Sequence, residues 1–379
     1  PPPPGAALHF KNNLVEIHTR NYTATLDPAR GGAITSLLDH SLNRNLCPAT
    51  DAHNLAPGPH TFRAFLNARN QHVYSTQSPA TITPLESGPL RIRLQINGHL
   101  GPVPFTSFLT FLQDSPLIDC TVTFDFALGT DIGDPEGEPN PALITAPPRQ
   151  AWHDDHFKLL ALFPTSLHRH TLTKDAAWDV CQSTHTDTRF NSWNHLRHRI
   201  ILNWVDAHDS SANAGLALFT DRTTAYYHTP ADPLALVLAY GRSPATLRGE
   251  QTRRFAFLPH AGDWQSADLW SAHTHWRNPL LARLTLAAPA TQSHLALHPP
   301  CLEATSLAIE NDALILRVFN ASTNRITARI TPTRKIQNST HITPLGTPLP
   351  DSNFRLENNT IHLPMRPLSF ATLRLEAFL

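Results

Sequence analysis

Cysteine is scarce and scattered: Cys47, Cys120, Cys181 and Cys301 form no Cys-x-x-Cys pair, so a compact cysteine-built zinc site has no support. The four read either as buried thiols or as one or two disulfides of an exported chain. Net charge is lacking as well, since 30 Lys+Arg balance 30 Asp+Glu and charged residues make up only 16% of the 379 residues. No overall field draws such a chain to nucleic acid or to an acidic membrane, and neither is an expected partner. No run approaches the roughly 18 uncharged apolar residues of a membrane span. The start at Pro1 to Pro4 has neither a Met nor a signal-type stretch, and it reads as the cut end of a soluble chain.

Glycine is sparse, 15 against 34 prolines, and there is one Met with four lysines, Lys11, Lys158, Lys174 and Lys335. That balance describes a turn-rich chain without long regular helices. Gly-x-Gly-x-x-Gly, Gly-x-x-x-x-Gly-Lys-Ser/Thr and Gly-x-Ser-x-Gly are all missing, which removes the usual nucleotide loops and α/β-hydrolase chemistry. Apolar residues, at 41%, suffice for a large core. The length passes the point, about 250–300 residues, where single cores stop growing, so two domains are expected.

What is present is strand grammar. Residues 14–26 alternate and are rich in β-branched side chains, 27–32 supply a Pro/Gly turn, and 33–39 resume the alternation. The pattern recurs at 90–96, 105–112, 117–126, 157–163, 199–205, 215–219, 225–228 and 234–239. Residues 127–151 interrupt it with eight Gly and Pro residues and read as a loop, and 264–276 alone have spacing suited to a short helix. After an Ala/Pro/Thr-rich stretch at 286–300, a second strand series runs through 314–319, 326–330, 361–364 and 370–375. The class is all-β: one large double sheet over 11–288 after a Pro-rich tail at 1–10, then a smaller sandwich over 289–379.

The 23 histidines invite a metal reading. His-Glu-x-x-His is absent; the local groups are His153-Asp154-Asp155-His156, His168 with His170, His185 with Asp187, His195 with His198, and His273 with His275. Residues i and i+2 share a face on a strand, yet such pairs arise by chance in a chain this rich in histidine, and they are read as surface residues. No metal and no cofactor is assigned. Asp154, Asp155, Asp206, Asp209 and Asp263 stand near Trp152, Trp204 and Trp264. Trp beside Asp suits a sugar, because the ring stacks on an apolar pyranose face while the carboxylate accepts hydroxyl hydrogen bonds. Trp152, Asp155, Trp204, Asp206 and Trp264 are therefore the candidate carbohydrate contacts.

Seven segments in chain order resemble the C-terminal β region of glycoside hydrolase family 38 α-mannosidases. They are Lys11-Asn-Asn-Leu-Val-Glu-Ile17 with the Gly-rich turn of 26–39, Phe157-Lys-Leu-Leu-Ala-Leu-Phe-Pro164, and Asn203-Trp-Val-Asp206 with Gly215-Leu-Ala-Leu218. Phe255-Ala-Phe-Leu-Pro-His260 with Gly262-Asp-Trp264, Asn278-Pro-Leu280, the strand 314–320 and the closing strand 366–375 follow. The resemblance implies a galactose-mutarotase-like supersandwich followed by a smaller β-sandwich. In that family the zinc ligands and the catalytic Asp belong to a β/α barrel that precedes this region, so the zinc role is not carried onto His153 to Asp155 or His185 to Asp187.

The expected function is that of a carbohydrate-associated β protein, binding sugars such as mannosides or supporting a separate mannosidase catalytic chain. The alternative is a sugar epimerase or polysaccharide lyase working from the supersandwich, with His260 and Asp263 of the Pro259-to-Asp263 turn as its catalytic pair. Composition leans towards a periplasmic or secreted location.

Overall fold

The computed structural model describes residues 5–49, 55–66, 70–127, 130, 132–133, 158–168, 170–183, 200–228, 233–240, 247–281, 293–350 and 353–376. The fold is all-β, a large antiparallel supersandwich followed by a smaller β-sandwich. Two compact units divide the chain: Pro1–Lys174 with Gln182–Ala267, and Asp175–Cys181 with Asp268–Leu379.

The larger unit supplies most of a nine-stranded antiparallel sheet, whose first two strands also include residues 175–176 and 179–181 of the smaller unit. Its strands run Asp179–Ser183, His170–Ala176, Trp204–Asp209, Ala214–Thr220, Gly249–Ala261, Ile118–Phe126, Val103–Leu112, Arg91–Leu100 and Thr81–Ser87. Period-two alternation sets its faces: Ile92, Leu94, Ile96, Ile118, Cys120, Val122 and Phe124 are buried while their neighbours are not. A six-stranded sheet follows the order Ile200–Ile201, Thr224–Tyr227, Leu234–Tyr240, Lys158–Phe163, Thr61–Leu66, Gln71–Tyr74. Lys158–Phe163 and Thr61–Leu66 are buried at every position, and this explains why the first reads as a continuous apolar run.

Phenylalanines from the two sheets interlock. Phe62 meets Phe124 and Phe105 edge-on at centroid distances of 5.1 and 5.3 Å, and Phe163 meets Phe255 and Phe257 at 5.8 and 5.7 Å. Each such burial contributes about 2–3 kcal/mol. A five-stranded sheet, Ala7–Lys11 through Arg44–Asn45, adds Ile17, Leu26 and Ile34 to the same core.

The smaller unit holds two four-stranded antiparallel sheets and the Leu269–Arg277 helix. One sheet runs Leu302–Glu310, Ala313–Asn320, Phe370–Glu376, Asn338–Ile342. Leu316, Val318, Ile330, Ile361 and Leu373 form its core.

The stretch read as one strand at 199–205 is split: Ile200–Ile201 belongs to the six-stranded sheet and Trp204–Asp209 to the nine-stranded one, so the chain changes sheets at Leu202 and Asn203. All four cysteines are free thiols, which settles against the disulfide alternative. The expected loop at 127–151 and the proline tail lie almost wholly outside the described residues.

Candidate active site

The site forms on the face of the nine-stranded sheet turned away from the phenylalanine core. Val205 and Ala207 point into that core, so Trp204, Asp206 and His208 take the opposite face. The register then fixes their neighbours. Asp206 stands opposite Ala217, which stands opposite Leu258; His208 stands opposite Gly215, which stands opposite His260.

Asp206 and His260 lie 54 residues apart on strands separated by a third, yet His260 Nε2 donates to Asp206 Oδ1 at 2.9 Å. Gly215 makes the reach possible. A Cβ there would stand 2.3 Å from His260 Cε1, 2.5 Å from its Nε2 and 3.2 Å from Asp206 Oδ1, so the imidazole occupies the space that any other residue would fill.

The pair is nearly dry, with Asp206 0% and His260 7% exposed. Burial alone would lower the His260 pKa. The hydrogen bond to Asp206, the Asp206 charge and backbone bonds at Ala261 and Gly262 outweigh it and hold the imidazole above its ordinary 6.5. Asp206 Oδ2 is buried without a hydrogen-bond partner among the described residues, and so is His208 Nε2. A buried oxygen left this way costs about 1–3 kcal/mol.

Asp263 does not join the pair. It is exposed and accepts from the Ser266 N–H at 2.8 Å and the Ser266 hydroxyl at 2.7 Å, which hold its carboxyl below the ordinary 3.8. Asp209 is likewise a turn builder, accepting from Ser211 N and Oγ at 2.9 and 2.6 Å. Trp264 stacks on Trp204 with ring centroids 5.9 Å apart and planes 28° from parallel. Trp204 has no exposed surface, whereas Trp264 is half-buried.

Trp152, Asp154 and Asp155 lie outside the described residues, with His153, His156, His185, Asp187, His195 and His198. His273 and His275 fall on the Leu269–Arg277 helix, where i and i+2 diverge; His273 is buried against Trp276. No group of three or more His, Cys, Asp or Glu among the described residues is placed to hold a metal ion. No helix among them is long and apolar enough to cross a membrane.

Sequence reading chose Asp206 as a sugar contact and His260 as a catalytic residue separately, noted Gly215 only within a strand motif, and missed the meeting of the three. The missed signal is parity: Val205 and Ala207 beside Asp206, Leu216 beside Gly215, and Phe255 and Phe257 at odd spacing before His260 all enter the core, so the three residues take the outer face.

The sequence matches no protein-family model and no curated protein. The fold is similar to that of an α-mannosidase from Enterococcus faecalis V583, with a TM-score of 0.69 and 15% identity, over 95% of this chain and 42% of that one. It is also similar to a glycosyl hydrolase family 38 protein from Enterococcus faecalis, with a TM-score of 0.67 and 15% identity, over 95% of this chain and 44% of that one. The fold is thus of the family 38 type, and the chain spans less than half the length of these two proteins.

Proposed function

We propose that the chain is the C-terminal β region of a family 38-type α-mannosidase, a carbohydrate-associated sandwich that binds mannosides and supports a catalytic domain. The observation that carries this reading is the match of fold along 95% of the chain to an α-mannosidase. Supporting it, Trp264 is half-buried and follows the exposed Asp263 directly in the chain, a combination of residue types that suits a sugar. The buried Asp206–His260 bridge ties the strand carrying Trp204 to the strand that leads into Trp264, holding the ring in place. Titration calorimetry with mannose and mannan oligosaccharides tests the reading. Heat at millimolar ligand that vanishes in Trp264→Ala is expected; no heat removes the binding role.

The His–carboxylate dyad favours a second reading, an epimerase or lyase acting from the supersandwich. Its raised His260 pKa suits a proton donor near neutral pH, with Asp206 holding the imidazole in place. Mutarotation and lyase rates of the wild type and His260→Ala decide it. Equal background rates in both discard it.

A further inference from the structure

The smaller unit's second sheet runs Leu295–His298, Ile326–Pro332, Thr360–Met365, Arg355–Glu357. Ala328, Ile330, Ile361, Leu363 and Met365 turn into the unit's core. Alternation sends the residues between them to the opposite face. The register there sets His298 opposite Arg329, Arg329 opposite His362, and His362 opposite Arg355. Four basic side chains thus stand in one line across all four strands, spanning about 15 Å at ordinary strand spacing.

Folding does not account for this row. Opposed basic groups on a sheet add no cross-strand attraction and oppose one another when charged. None of the four has an ion pair or side-chain hydrogen bond among the described residues. The neighbouring row is satisfied internally, with Thr331 and Thr360 hydroxyls 3.0 Å apart. Arg355 and His362 also line an open groove of about 600 Å³ with Thr327, Asn353 and Glu357.

We propose that this face binds an anionic polysaccharide, one bearing carboxylate or sulfate groups along its length. Guanidinium forks match both oxyanions in a bidentate manner. Thr327 and Asn353 supply a hydroxyl and an amide for sugar hydroxyls. Nucleic acid fits less well, because Phe354, the aromatic residue of the groove, is half-buried against the core and presents no stacking platform. This site uses other residues than the mannoside reading and differs from it in charge, and it stands without that reading.

The test is titration of the full chain with an oligogalacturonate, a heparin oligosaccharide, neutral dextran and a single-stranded oligonucleotide, at low and at 0.15 M salt, an ionic strength at which charges are screened beyond about 8 Å. At least one acidic sugar is expected to bind, more weakly at the higher salt, while dextran does not. The carboxylated and sulfated arms identify the anion. Arg329→Gln with Arg355→Gln is expected to weaken binding about tenfold or more, roughly 1.4 kcal/mol, with an unchanged melting temperature. Arg355→Gln alone, on the short edge strand, is the second variant should the pair melt early. Failure of both acidic sugars to bind, binding undiminished in the variants, or an oligonucleotide bound as tightly as the sugars overturns the proposal. Mannan binding, if present, is unaffected by these variants, so the two readings fail separately.

Discussion

His260 reaches Asp206 across an intervening strand because the residue between them, Gly215, has no side chain. Gly215→Ala therefore fills the imidazole's place and breaks a buried pair. A loss of about 2–4 kcal/mol is expected. Gly249→Ala, where a Cβ meets nothing within 4 Å and only the positive φ of +61° is strained, is expected to lose about 1–2 kcal/mol. Urea melts of the two variants check the order.

His260 also sets a pH dependence. Its pKa is raised on folding, so the folded state holds the proton more tightly. The pair's stabilisation is full below the ordinary 6.5 and is lost as pH rises through the folded-state pKa. The stability gap between wild type and His260→Asn is expected to be wider at about pH 6, below the ordinary histidine value, than at about pH 9, well above it, as read from denaturant midpoints.

His60 works in the opposite sense. It is wholly buried, with Nδ1 3.0 Å from the Gly32 carbonyl and Nε2 2.8 Å from Ser107 Oγ. Burial lowers its pKa to about 4. The unfolded chain takes up this proton near 6.5 and the folded chain does not until about 4, so stability falls with pH across that window, by about 3 kcal/mol in full. His60→Asn, which tolerates the φ of 63° there, is expected to flatten that acid slope. Stability measured at intervals through the window checks it.

The thiols are expected to divide into two classes. Cys47 and Cys120 are buried, and burial pushes the Cys47 thiol up to about 12 and Cys120 higher still. Cys181 and Cys301 are partly exposed. A thiol reagent is expected to label the latter pair in the native protein and all four after denaturation. Mass spectrometry of the labelled peptides distinguishes the classes.

Much of the fold was legible because each sheet leaves a periodic trace. Residues 91–100, 103–112 and 118–126 alternate since one face is buried and the other is not. Strands without that trace escaped: Thr61–Leu66 is buried on both faces yet includes Thr61 and Arg63, and Leu302–Glu310 is exposed over most of its length. The helix at Leu269–Arg277 was visible through its apolar spacing. The candidate site was half legible. Its residues could be picked by type, but the bridge from Asp206 to His260 depends on a register three strands wide, and local sequence does not encode that. The basic row was hidden for a related reason, since Arg329 and Arg355 are 26 positions apart in a chain whose charges cancel overall.

Gly249–Ala261 inserts between Ala214–Thr220 and Ile118–Phe126, in the middle of its sheet although it is the last of the nine in sequence. On the ribosome, the open side of Ile118–Phe126 must wait about 120 residues of translation before its partner emerges. During that interval the nascent sheet exposes a row of unpaired amides and carbonyls, a template for pairing with other chains. A chain stalled or clipped ahead of Gly249 keeps that edge open, and the hazard of pairing with another chain lasts until the strand is supplied.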